Sequence, residues 1–429
     1  LNFTGGLKNL RSACKTAELS TIITSRRFVD TVRLEDVVAG LGEMCRIVYL
    51  EDIRKGIGTK EKIIGLVRSF FAKSIAKRAT RSVDDPGVVL FTSGSEGEPK
   101  GVVLSHRNLL ANAQQIAAFG ADFFAPHEIV FNPLPAFHSF GLTAGTLFPL
   151  ISGFKVVFYP SPLHYKQVPK LIGETQSTLL FGTDTFLTGY IRAAAPGELD
   201  SLRLVVSGAE KVKEETRRLW SGLQAKIIEG YGCTECAPVI ACNHPLHDLP
   251  GSVGPVLPGI TWRLEKVEGI EEGGRLHVKG DNVMLGYLFA SEPGKLHANA
   301  HGWHDTGDIV AIGKAGEVYI RGRAKRFAKI GGEMISLAAV EAMASSLWPE
   351  ATHVAVTIPD AKKGEQIVLV TDRPDADRSA LQAHGKAEGA SELFMPRAVL
   401  VVGAVPVLGS GKVDYVGAAE LAKSLRTMI

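Results

Sequence analysis

Short apolar runs alternate with longer amphipathic stretches between residues 120 and 250 of the chain. Five of these runs are rich in β-branched residues and are bounded by polar or turn-forming positions, a pattern typical of buried strands. They cover residues 129–134, 155–159, 177–181, 202–206 and 226–229. Such alternation predicts βαβ units, and hence an α/β fold with mostly parallel sheets covered by helices.

The first eighty residues carry a weaker form of the same pattern. Residues 20–24 and 46–50 predict two further buried strands. Residues 61–78 place apolar side chains at helical spacing among lysines and arginines, which predicts a basic amphipathic helix. Such a helix either covers the core with its polar face in solvent, or contacts anionic lipid or an acidic protein partner.

From about residue 251 the apolar positions follow a period of two, which indicates antiparallel strands. Residues 308–312 and 317–321 flank the turn Gly-Lys-Ala-Gly and predict a hairpin, and residues 275–279 predict a neighbouring strand. A short charged link then precedes a new α+β pattern. We therefore predict three parts: a large domain over 1–321 that ends in an antiparallel β subdomain, a hinge at 322–325, and a small mobile α+β C-terminal domain over 326–429.

Composition restricts the possible classes of protein. The 429 residues, 45% of them hydrophobic, suffice for one large core and a smaller second one. A net charge of +3 is too small to indicate nucleic acid as a partner. The sequence contains no run of 18 apolar residues, so we expect a soluble chain. Five cysteines, an odd number, favour a reducing compartment over a disulfide scaffold. Leu1 stands where an initiator methionine would, so we expect a piece of a longer protein with an N-terminally incomplete large domain.

A glycine-rich decapeptide at 92–101, Thr-Ser-Gly-Ser-Glu-Gly-Glu-Pro-Lys-Gly, is the first candidate for chemistry. It follows an apolar run at 87–91 and precedes a helix for which Ser105 is a suitable N-cap. Glycines, hydroxyls and a lysine between a strand and a helix can wrap around an oxyanion, and the natural ligand is a phosphate chain. Lys100 follows a proline, so the loop is not a Walker A motif. A flexible Ser/Gly turn is the alternative.

Two further motifs follow predicted strands. Ser-Gly-Ala-Glu occupies 207–210, and Glu-Gly-Tyr-Gly-Cys-Thr-Glu occupies 229–235. Ligands of parallel sheets bind outside the carboxyl ends of the strands, so we expect both motifs at the ligand-binding edge.

The order of the motifs carries a family resemblance. Together with 92–101 they are Ala-Phe-His-Ser-Phe-Gly at 136–141, Gly-Tyr-Gly-Cys-Thr-Glu at 230–235, Trp-His-Asp-Thr-Gly-Asp at 303–308, Gly-Arg at 322–323 with Lys325, and Pro-Val-Leu-Gly-Ser-Gly-Lys at 406–412. In this order they resemble the AMP-forming adenylating enzymes, which comprise acyl-CoA synthetases, peptide-synthetase adenylation domains and luciferases. More narrowly, 92–97, 160–165, 208–211 and 322–329 are similar to the synthetase half of the bifunctional 2-acylglycerophosphoethanolamine acyltransferase/acyl-[acyl carrier protein] synthetases.

The resemblance implies ATP and Mg²⁺ as cofactors and assigns roles to individual residues. The phosphate-binding positions are Thr92, Ser93, Gly94, Ser95, Gly97 and Lys100. The positions that hold the rest of the nucleotide are Gly208, Ala209, Glu210, Gly230, Tyr231, Gly232, Thr234, Asp308 and Arg323. Among them, Asp308 would accept the ribose hydroxyls with support from Arg323, and Thr92 and Glu235 would hold the metal.

The resemblance also implies three residues that act during turnover. Lys412 would bridge the carboxylate, the ribose and the α-phosphate during adenylation, and Lys325 would be the hinge about which the small domain turns. His138 would lie between the ATP site and the acyl site. A solvated turn lysine and a satisfied core histidine are the ordinary alternatives for Lys412 and His138. The 136–141 motif has no aspartate to pair an amino group, which favours an uncharged acyl chain.

The function implied is ATP-dependent activation of a fatty acid to acyl-AMP, with transfer to the phosphopantetheine thiol of acyl carrier protein. Coenzyme A is the competing acceptor, and a noncatalytic acyl- or nucleotide-binding module is the competing class. The narrower resemblance implies an N-terminal membrane-associated acyltransferase half, lysophospholipid reacylation, and a place at the cytoplasmic side of the bacterial inner membrane.

A zinc site is a separate alternative. Cys233 and Cys236 have C-x-x-C spacing, and Cys242, His244 and His247 follow closely. However, Cys233 and Cys236 enclose Thr234 and Glu235, which the adenylation motif already uses.

Overall fold

A computed structural model of the chain describes residues 1–77, 82–92, 99–268, 270, 272–330, 333–360, 364–388, 390, 392–407 and 413–426. The strands of this part of the chain are β1 (Thr21–Thr24), β2 (Arg46–Tyr49), β3 (Pro86–Thr92), β4 (Lys100–Ser105), β5 (Ile129–Asn132), β6 (Lys155–Phe158), β7 (Leu179–Gly182), β8 (Leu204–Ser207), β9 (Lys226–Gly232), β10 (Val239–Cys242), β11 (Thr261–Glu265), β12 (Gly274–Lys279), β13 (Gly286–Phe289), β14 (Glu292–Ala298), β15 (Trp303–Ile312), β16 (Val318–Arg323), β17 (Phe327–Ile330), β18 (Glu333–Ser336), β19 (His353–Asp360), β20 (Gly364–Thr371) and β21 (Ala398–Val401).

The α-helices of the same part are α1 (Gly6–Thr16), α2 (Arg26–Val32), α3 (Glu35–Gly42), α4 (Leu50–Gly56), α5 (Thr59–Phe70), α6 (Ala72–Lys77), α7 (His106–Phe119), α8 (Phe148–Ile151), α9 (Gln167–Thr175), α10 (Asp184–Ala193), α11 (Glu214–Trp220), α12 (Leu337–Leu347), α13 (Arg378–Ala387) and α14 (Tyr415–Arg426). A π-helical stretch, Phe140–Leu147, leads into α8.

The central sheet has six strands in the order β10-β9-β8-β7-β5-β6. Every neighbouring pair is parallel except β9 and β10. Its strands supply Phe131, Leu180 and Val205 to a core that also buries Tyr190 of α10 and Trp220 of α11. Burial on both faces explains the continuous apolar runs, and the predicted α/β class is confirmed.

The glycine-rich segment joins two antiparallel strands, β3 and β4, in which Thr92 is paired with Lys100. The expectation of a loop between a strand and a helix was therefore wrong, because residues 100–105 form a strand of their own before α7 begins. The predicted cap of α7 is confirmed: the Ser105 hydroxyl accepts from the Asn108 N–H at 3.1 Å, and the Asn108 side chain accepts from the Ser105 N–H at 2.8 Å.

The period-two region forms an antiparallel sheet in the order β11-β12-β15-β16, as predicted. The β15–β16 hairpin turns at Gly313, whose N–H donates to the Glu317 carbonyl at 2.8 Å. Strands β13 and β14 instead join β3 and β4 in a separate sheet of order β14-β13-β4-β3. That pairing brings β13 beside the end of the glycine-rich segment.

The C-terminal part has its own sheet, in the order β18-β17-β20-β19 with β21 parallel to β20. Its cores are distinct from those of the preceding sheets: α12 and α13 pack on one set of strand residues and α14 on another. The predicted α+β character of this part is confirmed. Lys325 lies in the short turn Ala324–Arg326 that links β16 to β17.

Two expectations for the first eighty residues were wrong. Strands β1 and β2 pair only with each other, and Ile23 is 61% exposed, so these strands are not fully buried as predicted. The helix predicted at 61–78 is divided at Phe71 into α5 and α6, and residue 78 lies outside the described part. No side chain of α5 is buried, so this helix does not cover the core.

None of the helices described here is long and apolar enough to cross a bilayer.

Candidate active site

A buried carboxylate lies where the central sheet meets the antiparallel sheet. Asp308 of β15 keeps only 7% of its side-chain surface exposed. Its Oδ2 accepts from the Tyr231 hydroxyl of β9 at 2.6 Å, and its Oδ1 lies 3.2 Å from the Arg323 Nε of β16. Asp308 and Arg323 are directly opposite in the β15–β16 ladder, so the hairpin itself places the cation. The arrangement gathers three of the residues predicted to bind nucleotide.

Electrostatics distinguish this carboxylate from its neighbours. Burial raises the pKa of Asp308, an effect that Arg323 and the Tyr231 hydroxyl only partly offset. Burial likewise raises the pKa of Tyr231, with the Asp308 charge adding to the effect. Tyr231 therefore stays a neutral donor, and Asp308 retains acceptor oxygens in a site of low polarity.

A second carboxylate, Glu235, lies in the turn Thr234–Cys236 that follows β9. Its Oε1 accepts from the Tyr287 hydroxyl at 2.8 Å, and its backbone carbonyl accepts from the Met284 N–H at 2.8 Å. The Lys100 amine lies 5.8 Å from the centre of the Tyr287 ring. Tyr287 thus lies close both to Lys100, near the end of the glycine-rich segment, and to the carboxylate predicted to hold Mg²⁺.

The 207–210 turn and Thr234, which are predicted to contact the nucleotide, lie close to Phe140 and to its neighbour Ser139. A Cβ added to Gly208 would come within 3.1 Å of the Phe140 ring, so the 207–210 turn packs directly against the π-helical stretch. In the adjacent position, Ser139 Oγ lies 3.5 Å from Thr234 Oγ1. Ala209 has φ of +66°, and Glu210 accepts from the Thr185 hydroxyl at 2.9 Å. The turn is consequently held rigidly at the carboxyl end of β8.

The carboxyl edge of the central sheet also leaves polar groups for a ligand. Gly182 and Ser207 are paired at the ends of β7 and β8. The buried hydroxyls of Ser207 and of Thr183, the next residue after β7, have no hydrogen-bond partner among the described residues. Because buried polar groups in proteins are normally paired, these hydroxyls fit an edge at which a polar ligand binds.

The other predicted site residues fall into two groups: some lie outside the described part of the chain, and His138 and Thr92 lie within it. Ser93, Gly94, Ser95 and Gly97 of the phosphate-binding segment lie outside the described residues, and so does Lys412. His138 begins the turn into the π-helical stretch, and its ring centre lies 4.8 Å from that of Phe137. Thr92 is placed by its pairing with Lys100. The roles of all these residues stay predictions.

The five-residue zinc site considered above is not assembled. His244 bonds to Asp122 at 2.9 Å and stacks on His247, whereas Cys233 and Cys236 gather with His304 of β15 instead. That trio is the sole cluster of three or more candidate metal ligands among the residues that the structure describes. All five cysteines have free thiols.

Comparison with known proteins decides the family. The sequence profile described as AMP-binding enzyme matches residues 1–288, well over half of the chain. The chain belongs to the AMP-binding enzyme family. The adenylating resemblance stated from the motifs is thereby confirmed, while the narrower bifunctional assignment is not.

Relatives with assigned names include two long-chain-fatty-acid–CoA ligases. The protein from Salmonella typhimurium is 29% identical over 301 residues, which is 68% of this chain and 54% of that protein. The protein from Bacillus subtilis is 30% identical over 317 residues, 70% of this chain and 56% of that protein. The chain thus spans about half the length of these relatives.

Two solved structures show the same architecture. ATP-bound MatB from Rhodopseudomonas palustris has a TM-score of 0.78 at 26% identity, covering 99% of this chain and 83% of that one. The MenE protein from Bacillus subtilis, in complex with ATP and magnesium, also has a TM-score of 0.78, at 21% identity over 96% of this chain and 82% of that one. The MenE likeness bears on the fold alone.

Sequence reasoning missed Tyr287, Ser139 and His304. Tyr287 reaches Glu235 only because β13 pairs with β4, with Tyr287 opposite Val102. His304 reaches Cys233 only through the position of β15. Ser139 and His304 both stand inside quoted motifs, at 136–141 and 303–308, so the hydroxyl and the imidazole are local signals that could have been used.

The raised pKa of Asp308 gives a testable pH dependence. A carboxyl group whose pKa is raised in the folded state stabilises the fold below its unfolded pKa, near 4, and that stability is lost as pH rises through the folded pKa. Asparagine does not ionise. We therefore expect Asp308→Asn to become more stable relative to the natural protein between pH 4.5 and pH 7.5, seen as a rise in its relative free energy of unfolding when urea unfolding is measured at each pH.

Asp305, three residues before Asp308, provides a control of opposite sign. Burial alone would raise the pKa of Asp305, but hydrogen bonds from Arg275 and the Gly307 N–H outweigh it and lower that pKa. Its stabilising contribution is present above the unfolded pKa and is lost as pH falls. Asp305→Asn should therefore become relatively less stable as pH rises towards the unfolded pKa, near 4, and its relative stability should stay level above that pH. Equal slopes for the two variants would contradict this account.

Proposed function

We propose that the chain is the adenylating part of an acid–thiol ligase that activates a fatty acid with ATP. A carboxylate oxygen of the fatty acid attacks the α-phosphorus, an acyl–phosphate bond forms, and pyrophosphate leaves with the electrons of the broken P–O bond. Family membership supports the class of reaction. The observation that carries the proposal is the buried Asp308 carboxylate, held by Tyr231 and Arg323 beside the carboxyl edge of the central sheet.

Orientation and charge explain why such a site accelerates this reaction. Both reactants are anions, so the site has to neutralise charge and hold the two in line, and orientation alone can lower the barrier by roughly 7–11 kcal/mol. Asp308 would fix the ribose through two acceptor oxygens. Lys100 and the glycine-rich segment would hold the β- and γ-phosphates, and Thr234 would contact the α-phosphate. Preorganised donors of this kind need no rearrangement during the reaction.

Magnesium and the acyl chain complete the proposed substrate complex. Glu235 and Thr92 would hold Mg²⁺, and the oxygen donors of these side chains are of the type that this cation prefers. When bound, Mg²⁺ supplies positive charge to the phosphate oxygens. The acyl chain would enter beside His138 and Phe140, whose ring packs edge-on against Phe181 at 5.7 Å.

Acyl carrier protein is the acceptor that we propose, with its phosphopantetheine sulfur attacking the acyl carbonyl, AMP leaving and the thiol proton released. The motifs at 160–165, 208–211 and 322–329 support this choice by their resemblance to the bifunctional synthetases. The same resemblance supports an N-terminal acyltransferase half and a role in lysophospholipid reacylation. Coenzyme A is the second candidate acceptor, because the named relatives are CoA ligases.

The two half-reactions require the small domain to move, and we propose the limits 1–321, 322–325 and 326–429 with Lys325 as the hinge. The short turn Ala324–Arg326 supports this, since it joins sheets with separate cores. At the end of the turn, Arg326 is held by Glu341 and stacks over the Tyr415 ring at 3.8 Å. Rotation would therefore be absorbed before Arg326.

We further propose that α5 and α6 lie on the anionic surface of the bacterial inner membrane, at its cytoplasmic side. The apolar face of α5 points entirely to solvent, with Phe70 80% exposed. Lys62 and Arg68 lie along the same helix, and Lys73 follows in α6. An apolar face flanked by cations is the form that binds the boundary of headgroups and acyl chains, where acidic lipids add attraction.

Fatty-acid-dependent ATP–pyrophosphate exchange in the natural full-length protein tests the first half-reaction. A lysine amine ~4 Å from a phosphate, at an effective dielectric constant of ~20, contributes on the order of 4 kcal/mol. Lys412→Ala should therefore slow exchange roughly 10²- to 10³-fold. Lys386→Ala, which removes an exposed lysine from α13, should leave exchange unchanged.

The same preparations test the second half-reaction when holo acyl carrier protein and coenzyme A are offered in parallel. Thioester should form faster with the carrier protein. Lys325→Pro should retain exchange and lose thioester formation, since only the swing is blocked. Absence of exchange with every fatty acid would refute the adenylation proposal, and faster transfer to coenzyme A would assign the second candidate acceptor.

Vesicle sedimentation tests the membrane surface. The protein should sediment with vesicles that contain phosphatidylglycerol more than with phosphatidylcholine alone, and added salt should weaken this binding because it screens the lysines. Phe70→Ser and Lys62→Glu should each reduce it. Leu163→Ser, at a position 61% exposed outside these helices, is the matched control. Binding that is unaffected by Phe70→Ser would exclude α5 as the contact.

A further inference from the structure

Two cysteines and a histidine converge beside the candidate active site without a role in the proposed reaction. The Sγ atoms of Cys233 and Cys236 and a ring nitrogen of His304 all lie within 4.8 Å of one another. The Cys233 thiol contacts both of the other side chains. A tetrahedral zinc ion with bonds of about 2.0–2.3 Å places its donor atoms roughly 3.5–3.8 Å apart. Small side-chain adjustments would therefore suffice to bind one ion.

The backbone holds the three side chains in place. Cys236 closes a tight turn, in which its N–H donates to the Cys233 carbonyl at 3.0 Å, and its own carbonyl accepts from the Asn282 side chain at 2.8 Å. His304 is fixed by β15, where it is paired with Val278 of β12. Cys236 and His304 are both buried. The donors are thus preorganised, as a metal site requires.

We propose that Cys233, Cys236 and His304 form a binding site for one thiophilic divalent cation, with Zn²⁺ as the physiological candidate. Two sulfur donors and an imidazole suit zinc and do not suit Mg²⁺, which takes oxygen ligands. Three protein donors leave a fourth position for water or another ligand. The site is therefore distinct in chemistry from the magnesium position proposed at Glu235 and Thr92.

Binding of the cation releases protons from its thiol ligands. The hydrogen bond with Cys236 and burial raise the pKa of Cys233, so this thiol is neutral before a cation binds. The ion forms two Zn–S bonds and one Zn–N bond, and the displaced thiol protons pass to solvent. Because Thr234 and Glu235 lie between the two cysteines, an ion at this site would fix the turn that presents both side chains to the nucleotide.

Anaerobic titration with Co²⁺ as a spectroscopic substitute for zinc tests the site without any activity assay. We expect one equivalent of Co²⁺ to produce thiolate-to-cobalt charge-transfer absorption together with the strong visible bands of a four-coordinate ion. Added Zn²⁺ should abolish both signals. Zn²⁺ should also raise the unfolding temperature of the natural protein, because the ion binds the folded state.

Single substitutions decide whether these three residues are the ligands. Cys233→Ser and His304→Phe should each lose the charge-transfer band and the shift in unfolding temperature. Cys242→Ser removes a nearby thiol that does not belong to the cluster, and it should retain both signals. Circular dichroism establishes that each variant is folded. Cys233 is half-buried, so we expect Cys233→Ser to be tolerated better than substitution of the buried His304. No charge-transfer band in the natural protein, or an unchanged band in Cys233→Ser, would overturn the proposal.

Discussion

The carboxylate of Asp308 is almost entirely buried. An ionised group that is removed from water is stable only when charged or hydrogen-bonding partners lie close to it. Three strands supply what it needs: β15 carries Asp308, β9 presents the Tyr231 hydroxyl and β16 presents Arg323. Since β9 belongs to the parallel sheet and the other two strands to the antiparallel one, the Tyr231–Asp308 hydrogen bond joins the two sheets at the candidate site. Loss of either partner would leave a buried charge incompletely compensated.

That junction determines which other groups come together. The turn after β9 carries Thr234 and Glu235, and β13 brings Tyr287 to Glu235 from the sheet that holds Lys100. Arg323 ends β16 and is followed within two residues by Lys325, so the polypeptide leaves the site directly into the C-terminal part. A movement at that turn would act on Arg323 and hence on the environment of Asp308. In the proposed mechanism, domain motion would act on the chemistry through this ion pair.

The two metal sites proposed for this region would select different cations. Glu235 offers an oxygen donor, whereas its sequence neighbours Cys233 and Cys236 offer sulfur and lie with His304. A hard cation and a thiophilic cation would each select its own donors, although both sets come from the same turn. The spacing of these residues explains how two sites can be adjacent and still be chemically separate.

Much of the fold could be predicted because its signals are local. Strands buried on both faces give unbroken apolar runs, as at Val205, and the hairpin at Gly313 has the glycines that its turn needs. The pairing of β13 with β4 could not be predicted, since it joins residues nearly two hundred positions apart. The solvent-facing side of α5 could not be predicted either, because an amphipathic pattern does not reveal what the apolar face contacts.

The site divides in the same way. Asp308, Glu235 and Tyr231 could be found because they stand in ordered motifs. Tyr287 stands in none of them and enters only through strand pairing, while His304 stands in a motif but is brought to the cysteines by the pairing of β15. The contact between Tyr231 and Asp308 depends on how two sheets pack, and no feature within either motif indicates it.

In the proposed reaction, one site holds the acyl group and the adenylate as a single joined intermediate. The most direct measurement is calorimetric titration with a non-hydrolysable acyl-sulfamoyl adenosine, compared with AMP and with the free fatty acid. Because an adenylating site is complementary to the species formed during the reaction, the joined analogue should bind at least ~10²-fold more tightly than either part alone. An analogue that binds no more tightly than AMP would contradict the account.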